Sequence, residues 1–403
     1  MYGLVLEGGG AKGAYHVGAF KALKELGVEI GGIAGTSIGA LNGAFLIQGD
    51  IENLEEIWFN TKSSDIFNID EKAEKAINDL INLNLQEINL PYLLNVSKEI
   101  INNRGLDTSK IRALLEELID EDKIRKSKID FGIVTVNLTD KKPMEMLKED
   151  IPQGKLVDYL LASANLPAFK QEPMDGKKFL DGGFHDNLPI GVLLKKGYTD
   201  FIAVRTFGIG IIRKQKKKNL NITYIQPVES LGGVLDFNRN QIEHDMKLGY
   251  FDALKVFKKL KGYKYYCEPY SGNFYQLMLD FLTNKSDKIA EIGNILGFTG
   301  MPIDRMLFEK IMPRVENLLD MKGNYDYQDI VIRLVEQVAE KYTDIERFNI
   351  YKADEFIDMV IKKFKSKPVE FTKNVPSFIK QNKLLSIAVK ESLSIEIFKE
   401  MFI

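Results

Sequence analysis

Short apolar runs alternate with amphipathic segments along the first two-thirds of the chain. The run YGLVLE stops at three glycines, and the next segment, GAYHVGAFKALKELG, carries apolar residues near one face and ends at Gly27, which is suited to cap a helix. The alternation of strand-like and helix-like segments continues with IGGIAG, IGALNGAFLI, IDFGIVTVN, LVDYLLASAN, KKFLDGG, PIGVLLKKG and DFIAVRTF. Apolar strands alternating with helices predict an α/β fold whose sheet is covered on both faces.

Two regions depart from this alternation. Residues 53–122 show helical periodicity without clear strands, which predicts a helical insertion that either caps a site or adds a helical layer. Beyond about residue 266 the strand signals fade, and apolar residues recur at spacings of three and four. We therefore expect an α/β domain over residues 1–265 and a mostly helical C-terminal region over residues 266–403.

Composition narrows the chemistry that the chain can perform. Of its 403 residues, 45% are hydrophobic and 28% charged, which is typical of a globular protein, and the net charge of −2 gives no general attraction to nucleic acid. The single cysteine, Cys267, excludes an intramolecular disulfide and a cysteine-rich zinc site. With only three histidines, few mechanisms with a histidine base or a histidine-ligated metal remain open.

One stretch has the length of a membrane span. Residues 30–49 contain no charge, but six of the twenty are glycine and four others are polar, so a buried strand, a turn and a helix explain the stretch better. No basic segment precedes the first apolar run, and we expect no signal peptide and a cytoplasmic location.

The glycine-rich stretch after the first strand allows two interpretations. Gly8, Gly10 and Gly13 satisfy G-x-G-x-x-G between a strand and a helix, as in dinucleotide-binding folds. Such folds also need an acidic residue at the end of the second strand, which here runs into Thr36 and Ser37 instead. A phosphate-binding P-loop is excluded because no Lys-Ser or Lys-Thr pair follows the glycines. Nucleotide binding therefore remains only a weak alternative.

The second predicted strand ends in Gly35-Thr36-Ser37-Ile38-Gly39, a G-x-S-x-G motif between a strand and a helix. A serine on such a strained turn needs neighbours without side chains two positions away, since side chains there would collide across the turn. The motif predicts Ser37 as a nucleophile, with the glycine-rich loop as a source of amide donors for an oxyanion. The alternative is a glycine-rich turn with an unreactive serine.

The base that would activate Ser37 has several candidates. His185 and His244 are available, whereas His16 falls in a predicted helix and is expected to be structural. Asp181 closes a short strand before two glycines, and burial would raise its pKa above the ordinary value of about 3.9. A serine–aspartate dyad and a histidine-assisted triad both remain open, as does a simple Asp-Gly-Gly turn.

The ordered set EGGGAKG, GTSIG and DGG resembles the patatin-like phospholipase family. The segments LASANLPAF, DGGFHDNLPI, RGLDTSKIRALL and PVESLGGVLDF are also similar to bacterial members of that family. The likeness covers residues 1 to about 265, and the C-terminal region matches nothing that we can name.

The resemblance implies a three-layer α/β/α core with a mostly parallel sheet and a lipid acyl hydrolase of the phospholipase A type. It implies Ser37 as nucleophile, Asp181 as proton acceptor, and no metal or cofactor. The implied oxyanion donors are Gly8, Gly9, Gly10 and Ala11, and the implied supporting residues are Lys12, Gly13, Gly35, Gly39, Gly182 and Gly183. The lipid itself and the oligomeric state stay open.

A basic run offers a contact with lipid. Five of the six residues from Arg213 to Lys218 are basic, which would attract an anionic membrane surface. A solvated loop is the favoured interpretation of this run, and contact with lipid is the alternative. A lipid-binding protein without turnover remains a further alternative to the hydrolase.

Overall fold

The structure is a computed structural model that describes residues 1–62, 106–167, 169–170, 172–216, 219–321, 323, 325–365 and 385–403. These residues divide into two compact units, Met1–Val256 and Phe257–Ile403. The boundary expected from the sequence, at residue 265, lies a few residues inside the second unit. Most of the insertion predicted over residues 53–122 lies outside the described residues.

The first unit is built on a seven-stranded sheet with the strand order β4-β3-β2-β1-β6-β7 and a short β5 that also pairs with β3. Strands β1, β2, β3, β6 and β7 are parallel, whereas β4 and β5 run antiparallel to β3. The strands are β1 (Tyr2–Leu6), β2 (Ile30–Thr36), β3 (Asp130–Asn137), β4 (Lys142–Leu147), β5 (Phe179–Asp181), β6 (Asp200–Val204) and β7 (Asn221–Ile225).

Helices cover both faces of this sheet. The helices of the first unit are α1 (Ala14–Glu25), α2 (Ile38–Ile47), α3 (Ile51–Asn60), α4 (Ser109–Leu118), α5 (Glu121–Lys126), α6 (Leu156–Ser163), α7 (Ile190–Leu194) and α8 (Arg239–Lys258), with short 3-10 turns at Gly10–Gly13 and Gly182–Phe184. Alternate strand residues point to opposite faces. Val5 and Ala34 pack with Val192 of α7, whereas Leu6 and Ile33 face α2. The predicted α/β fold with a mostly parallel, doubly covered sheet is confirmed.

The second unit is mostly helical and has its own apolar core. Its helices are α9 (Phe274–Asn284), α10 (Ser286–Leu296), α11 (Ile303–Arg305), α12 (Met312–Leu318), α13 (Tyr327–Tyr342), α14 (Ala353–Lys365) and α15 (Ile387–Phe402), with a π-helical segment, Met306–Ile311, joining α11 to α12. Ile292, Leu307, Val335 and Phe398 are fully buried there. Two three-residue parallel strands, β8 (Tyr266–Glu268) and β9 (Ile350–Lys352), complete the unit.

Among the described helices, none is long and apolar enough to cross a membrane. The uncharged stretch at residues 30–49 forms β2 and α2 of the first unit.

Candidate active site

Ser37 lies in a strained turn between β2 and α2. Its backbone angles are φ 56° and ψ −126°, a conformation that a non-glycine residue adopts only when the surrounding structure enforces it. A Cβ on Gly35 would lie 2.2 Å from the carbonyl carbon of Gly39, and one on Gly39 would lie 2.3 Å from the carbonyl oxygen of Leu6. Gly35 is therefore needed for the turn itself, and Gly39 is needed for the close approach of the start of α2 to β1.

Two hydrogen bonds hold this turn in place. The Ser37 amide donates to Ser163 Oγ at 3.0 Å, and the Ser163 hydroxyl donates to the carbonyl of Val134 at 2.6 Å. Thr36 Oγ1 donates to the carbonyl of Asp186 at 2.7 Å. The local sequence around Ser163 does not indicate a functional residue, because nothing in it shows that Ser163 faces a turn 126 residues away.

The register of β5 brings Asp181 to the same place. Thr36 of β2 pairs with Val134 of β3, and Asp181 of β5 pairs with the next residue of β3, Thr135. Because β4 occupies the other edge of β3, β5 lies directly beyond the end of β2. A Cβ on Gly182 would lie 3.0 Å from Cγ2 of Thr36. The structure thus places Asp181 at the strand end that carries Ser37.

Asp181 is a buried carboxylate with few donors. Its side chain is shielded from solvent, and Oδ1 accepts a hydrogen bond from the Gly183 amide at 2.7 Å. Within the described residues, Oδ2 has no hydrogen-bond partner. Burial raises the pKa of Asp181 to about 6, and the nearby Ser37 hydroxyl and the Gly183 amide only partly oppose that rise. A carboxylate in this state can accept a proton near neutral pH.

The glycine-rich loop supplies fewer free amides than the sequence suggested. The Gly8 amide donates to the carbonyl of Asn187 at 3.1 Å, and the Ala11 amide donates to the carbonyl of Val234 at 2.7 Å. Among the described residues, the amides of Gly9 and Gly10 make no such bond. An oxyanion site in this loop therefore rests on Gly9 and Gly10.

Gly10 is fixed as glycine by its surroundings. Its φ is +60°, and a Cβ there would lie 2.1 Å from the carbonyl oxygen of Val234. The loop therefore packs so closely against the backbone of Val234 that position 10 has no room for a side chain.

Two buried charged residues, Glu7 and Lys12, hold the glycine-rich loop through hydrogen bonds. Buried Glu7 accepts hydrogen bonds from Arg205 Nε at 2.8 Å and from the amides of Thr206 and Phe207 at 2.8 and 3.1 Å. Lys12 is also buried, and its Nζ donates to the carbonyl of Phe207 at 3.5 Å. Burial lowers the pKa of Lys12, while the charges of Glu7 and Asp245 oppose that change. Both residues tie the loop to the chain that follows β6.

The three histidines face other partners. Nε2 of His185 lies 3.3 Å from Glu145, and the ring nitrogens of His244 face Glu229 at 3.1 Å and Asp245 at 3.5 Å. Hydrogen bonds to Asp245 and Glu229 raise the pKa of His244 to about 9, so that its ring is charged at neutral pH. His16 is buried beside Asn42, and burial lowers its pKa to about 3. These contacts direct the rings of His185 and His244 at carboxylates and the ring of His16 at Asn42.

An apolar cavity of about 130 Å³ adjoins Ser37. Trp58 forms part of its wall, donates a hydrogen bond to Asn42 at 3.1 Å and stacks on Phe237 with 6.1 Å between ring centroids. The other apolar lining residues are Ile38, Leu41, Phe45, Leu54, Ile57, Ile111, Leu114, Leu115, Ala164, Leu166, Phe169 and Leu235. Such a lining fits a hydrocarbon chain.

Comparison with known proteins agrees with the resemblance. Residues 4–194 match the family described as patatin-like phospholipase. The neuropathy target esterase sws of Drosophila melanogaster is 27% identical over 205 residues, which are 50% of this chain and 12% of that protein. The patatin-like phospholipase domain-containing protein ZK370.4 of Caenorhabditis elegans is 29% identical over 208 residues, which are 50% of this chain and 13% of that protein.

The match to these relatives therefore spans only about an eighth of their length. Among solved structures, VipD from Legionella pneumophila aligns with 100% of this chain and 91% of its own, at 13% identity and a TM-score of 0.40. The family match contains the strained turn at Ser37, the buried Asp181 and the glycine-rich loop. Residues 4–194, just under half of this chain, therefore match the patatin-like phospholipase family model, and the two relatives named above are similar to this chain over about half of its length.

Proposed function

We propose that this protein is a lipid acyl hydrolase of the phospholipase A type that uses Ser37 as nucleophile and Asp181 as base. One observation carries the proposal: a serine in an enforced, strained conformation lies beside a buried carboxylate whose second oxygen has no partner in the described structure. The apolar cavity next to Ser37 supports a substrate with a fatty acyl chain.

In the first half of the reaction, the Ser37 hydroxyl attacks the carbonyl carbon of the ester. Its proton passes to Asp181, and the carbonyl oxygen becomes an anion facing the amides of Gly9 and Gly10. When the tetrahedral intermediate collapses, the bond to the alcohol breaks and the alcohol oxygen takes the proton from Asp181. The acyl group is then bound to Ser37 as an ester.

In the second half, water replaces the alcohol. Asp181, again ionised, accepts a proton as the water oxygen attacks the acyl carbon. Collapse of this second intermediate releases the fatty acid and returns the proton to Ser37. Asp181 acts as base and then as acid in each half, which a carboxyl group with a pKa of about 6 can do near neutral pH.

The same proposal includes contact with a lipid surface, because a substrate with long acyl chains is presented by a membrane or micelle rather than free in water. No metal or cofactor takes part in the proposed steps.

The test combines covalent labelling with turnover. The protein is treated with a fluorophosphonate probe and mapped by mass spectrometry, and hydrolysis of a fluorogenic phospholipid is followed in parallel for wild type, Ser37→Ala and Asp181→Asn. We expect an adduct on Ser37 of the wild type and loss of hydrolysis in both variants. Asp186→Asn is the matched control, since burial also raises the pKa of Asp186 to about 6 and that variant should keep its activity.

Two results would contradict the proposal. If folded wild-type protein forms no adduct with the probe and hydrolyses neither phospholipid nor short-chain ester, it is not a free-standing hydrolase. A lipid-binding role would then replace the proposed hydrolase. Hydrolysis that survives Asp181→Asn but is lost in His185→Ala or His244→Ala would assign the base to a histidine instead.

A further inference from the structure

The chain that follows β6 exposes apolar side chains next to the candidate active site. Phe207, Ile211 and Ile212 are 50%, 46% and 42% exposed. Because β6 is parallel to β1, residues after Val204 emerge at the sheet edge that also carries the glycine-rich loop. The Arg205 guanidinium lies over the Phe207 ring, 4.8 Å from its centroid, and Phe207 is still half exposed. Three large apolar side chains exposed within six residues are typical of an interaction surface.

Hydrogen bonds fix this segment to the proposed catalytic loops. The Ile211 amide donates to the carbonyl of Gly183 at 2.9 Å, and the Asn187 amide donates to the carbonyl of Ile211 at 2.6 Å. On the other side, Thr206 Oγ1 donates to the carbonyl of Gly8 at 2.8 Å. The apolar side chains are therefore held outward by an ordered backbone that joins the turn after Asp181 to the glycine-rich loop.

Positive charge follows directly. Arg213, Lys214 and Lys216 are exposed. Nε of Arg213 also donates a hydrogen bond to the carbonyl of His185 at 3.2 Å, which fixes this basic side chain to the turn that follows Asp181. The whole chain has a net charge of −2, so this positive charge is local to the segment. Lys217 and Lys218, the last two residues of the basic run, lie outside the described residues and are not part of the surface considered.

We propose that Phe207, Ile211, Ile212, Arg213, Lys214 and Lys216 form a docking surface for an anionic lipid bilayer. The apolar side chains enter the boundary of the hydrocarbon layer while the basic side chains contact lipid head groups. Exposed apolar side chains complement the hydrocarbon layer of such a membrane, and the exposed basic side chains that follow them complement its anionic head groups. This inference rests on the proposed function, because the bilayer that the surface contacts would hold the substrate of Ser37.

The test measures binding without turnover. In a Ser37→Ala background, which leaves vesicles intact, sedimentation is compared between vesicles of phosphatidylcholine alone and vesicles that also contain phosphatidylglycerol. We expect binding to the anionic vesicles that weakens as salt is added. Replacing Arg213, Lys214 and Lys216 with glutamine should lower partitioning on the order of 100-fold, since each basic residue near an anionic surface contributes about fivefold.

A charge-matched control separates this surface from general electrostatics. Lys123, Lys126 and Lys128 precede β3, so they lie at the opposite end of the parallel strands. Replacing these three with glutamine removes the same charge and should leave partitioning at the wild-type level. A second variant, Ile211→Ser with Ile212→Ser, should also weaken partitioning, and circular dichroism verifies that each variant is folded.

Three results would contradict the docking surface. The protein does not partition to anionic vesicles, or the basic variant and its control lose partitioning to the same extent, or both the basic and the apolar variants partition as the wild type does. Specific capture of a protein by this segment, without vesicle binding, would assign the surface to a protein partner instead. Hydrolysis of a short-chain soluble ester by protein with Ser37 intact is measured separately. Docking that fails while this hydrolysis persists contradicts only the docking surface, whereas vesicle binding without any hydrolysis contradicts only the proposed function.

Discussion

Glu336 in the helical unit and Asp181 in the α/β unit are both shielded from solvent, with exposed fractions of 0% and 3%. The two carboxylates differ in what surrounds them. Glu336 accepts hydrogen bonds from the amides of Tyr263, Lys264 and Tyr265 at distances from 2.7 to 3.1 Å. Within the described residues, Asp181 is bound by a single backbone amide, that of Gly183, and the Ser37 hydroxyl lies nearby.

Burial alone therefore does not make a carboxylate reactive. Glu7 shows this within the α/β unit itself, since it is as buried as Glu336 and is likewise bound by two amides and Arg205. Donors that compensate the charge make a carboxylate a structural anchor. A buried carboxylate with one oxygen that accepts no hydrogen bond can still take up a proton. Within the described residues, Oδ2 of Asp181 is such an oxygen.

The largest expected effect is on turnover. Asp181→Asn should lower kcat for phospholipid hydrolysis on the order of 10³-fold, because an amide cannot accept the proton of Ser37. Glu336→Gln should leave kcat unchanged when assayed at a temperature at which it is folded. A similar loss of kcat in both variants would show that the distinction between the two carboxylates is wrong.

The next effect is on the stability of the helical unit. Glu336→Gln should lower its free energy of unfolding by about 3 kcal/mol, since three amides lose a charged acceptor and the new amide group has hydrogens where an acceptor is needed. Urea denaturation followed by circular dichroism measures this change. A variant as stable as wild type would mean that the three bonds contribute little.

Asp181→Asn should change stability in the opposite direction. Because burial raises the pKa of Asp181 from 3.8 to about 6, the folded state binds a proton more tightly than the unfolded state and loses stability as the pH rises from 4 to 6. At pH 8 the variant should be more stable than wild type by roughly 3 kcal/mol, with the gain disappearing below pH 4. Denaturation at pH 8 and pH 4 tests both parts, and a loss of stability at pH 8 would contradict the argument.

The pH dependence of turnover offers a finer test. In the proposed mechanism the ionised form of Asp181 is the base, so kcat/KM should fall about tenfold for each pH unit below 6. Asp186 has a raised pKa of about 6 as well, so the profile has to be repeated with Asp186→Asn. An unchanged profile in that variant assigns the ionisation to Asp181, whereas a profile that becomes flat would assign it to Asp186.

The smallest expected effect comes from the histidines. His185→Ala and His244→Ala should each keep kcat within about tenfold of wild type, because their rings are directed at carboxylates rather than at the serine. Steady-state kinetics on the same phospholipid is sufficient. A loss of several orders of magnitude in either variant would restore a triad.

The sequence indicated much of the α/β unit because its signals are local. The collision that makes Gly35 necessary is with Gly39 in the same turn, and the alternation of strands and helices depends on neighbouring residues. The collision that makes Gly39 necessary is with Leu6 of β1, a contact that the local pattern does not show. The juxtaposition of Ser37 and Asp181 could be inferred only from the family resemblance. The register of β5 on β3, which accounts for it physically, joins segments far apart in the chain.

What the sequence did not indicate depends on tertiary packing. The bond from the Ser37 amide to Ser163 and the one from the Ala11 amide to Val234 connect residues more than one hundred positions apart. The second of these removes Ala11 from the free oxyanion donors, although its sequence context resembles that of Gly9 and Gly10. Strands β8 and β9, with three residues each, are too short to show a period.

The segment at Val234 has a consequence for redesign of chain-length preference. Its carbonyl holds the Ala11 amide, and the next residue, Leu235, is part of the cavity wall. We expect substitution at Leu235 to disturb the glycine-rich loop as well, so that under the proposed function it would change both chain-length preference and rate. Phe45 on α2 and Leu115 on α4 line the same cavity from helices, and substitution there alters its capacity without moving the backbone that holds Ala11.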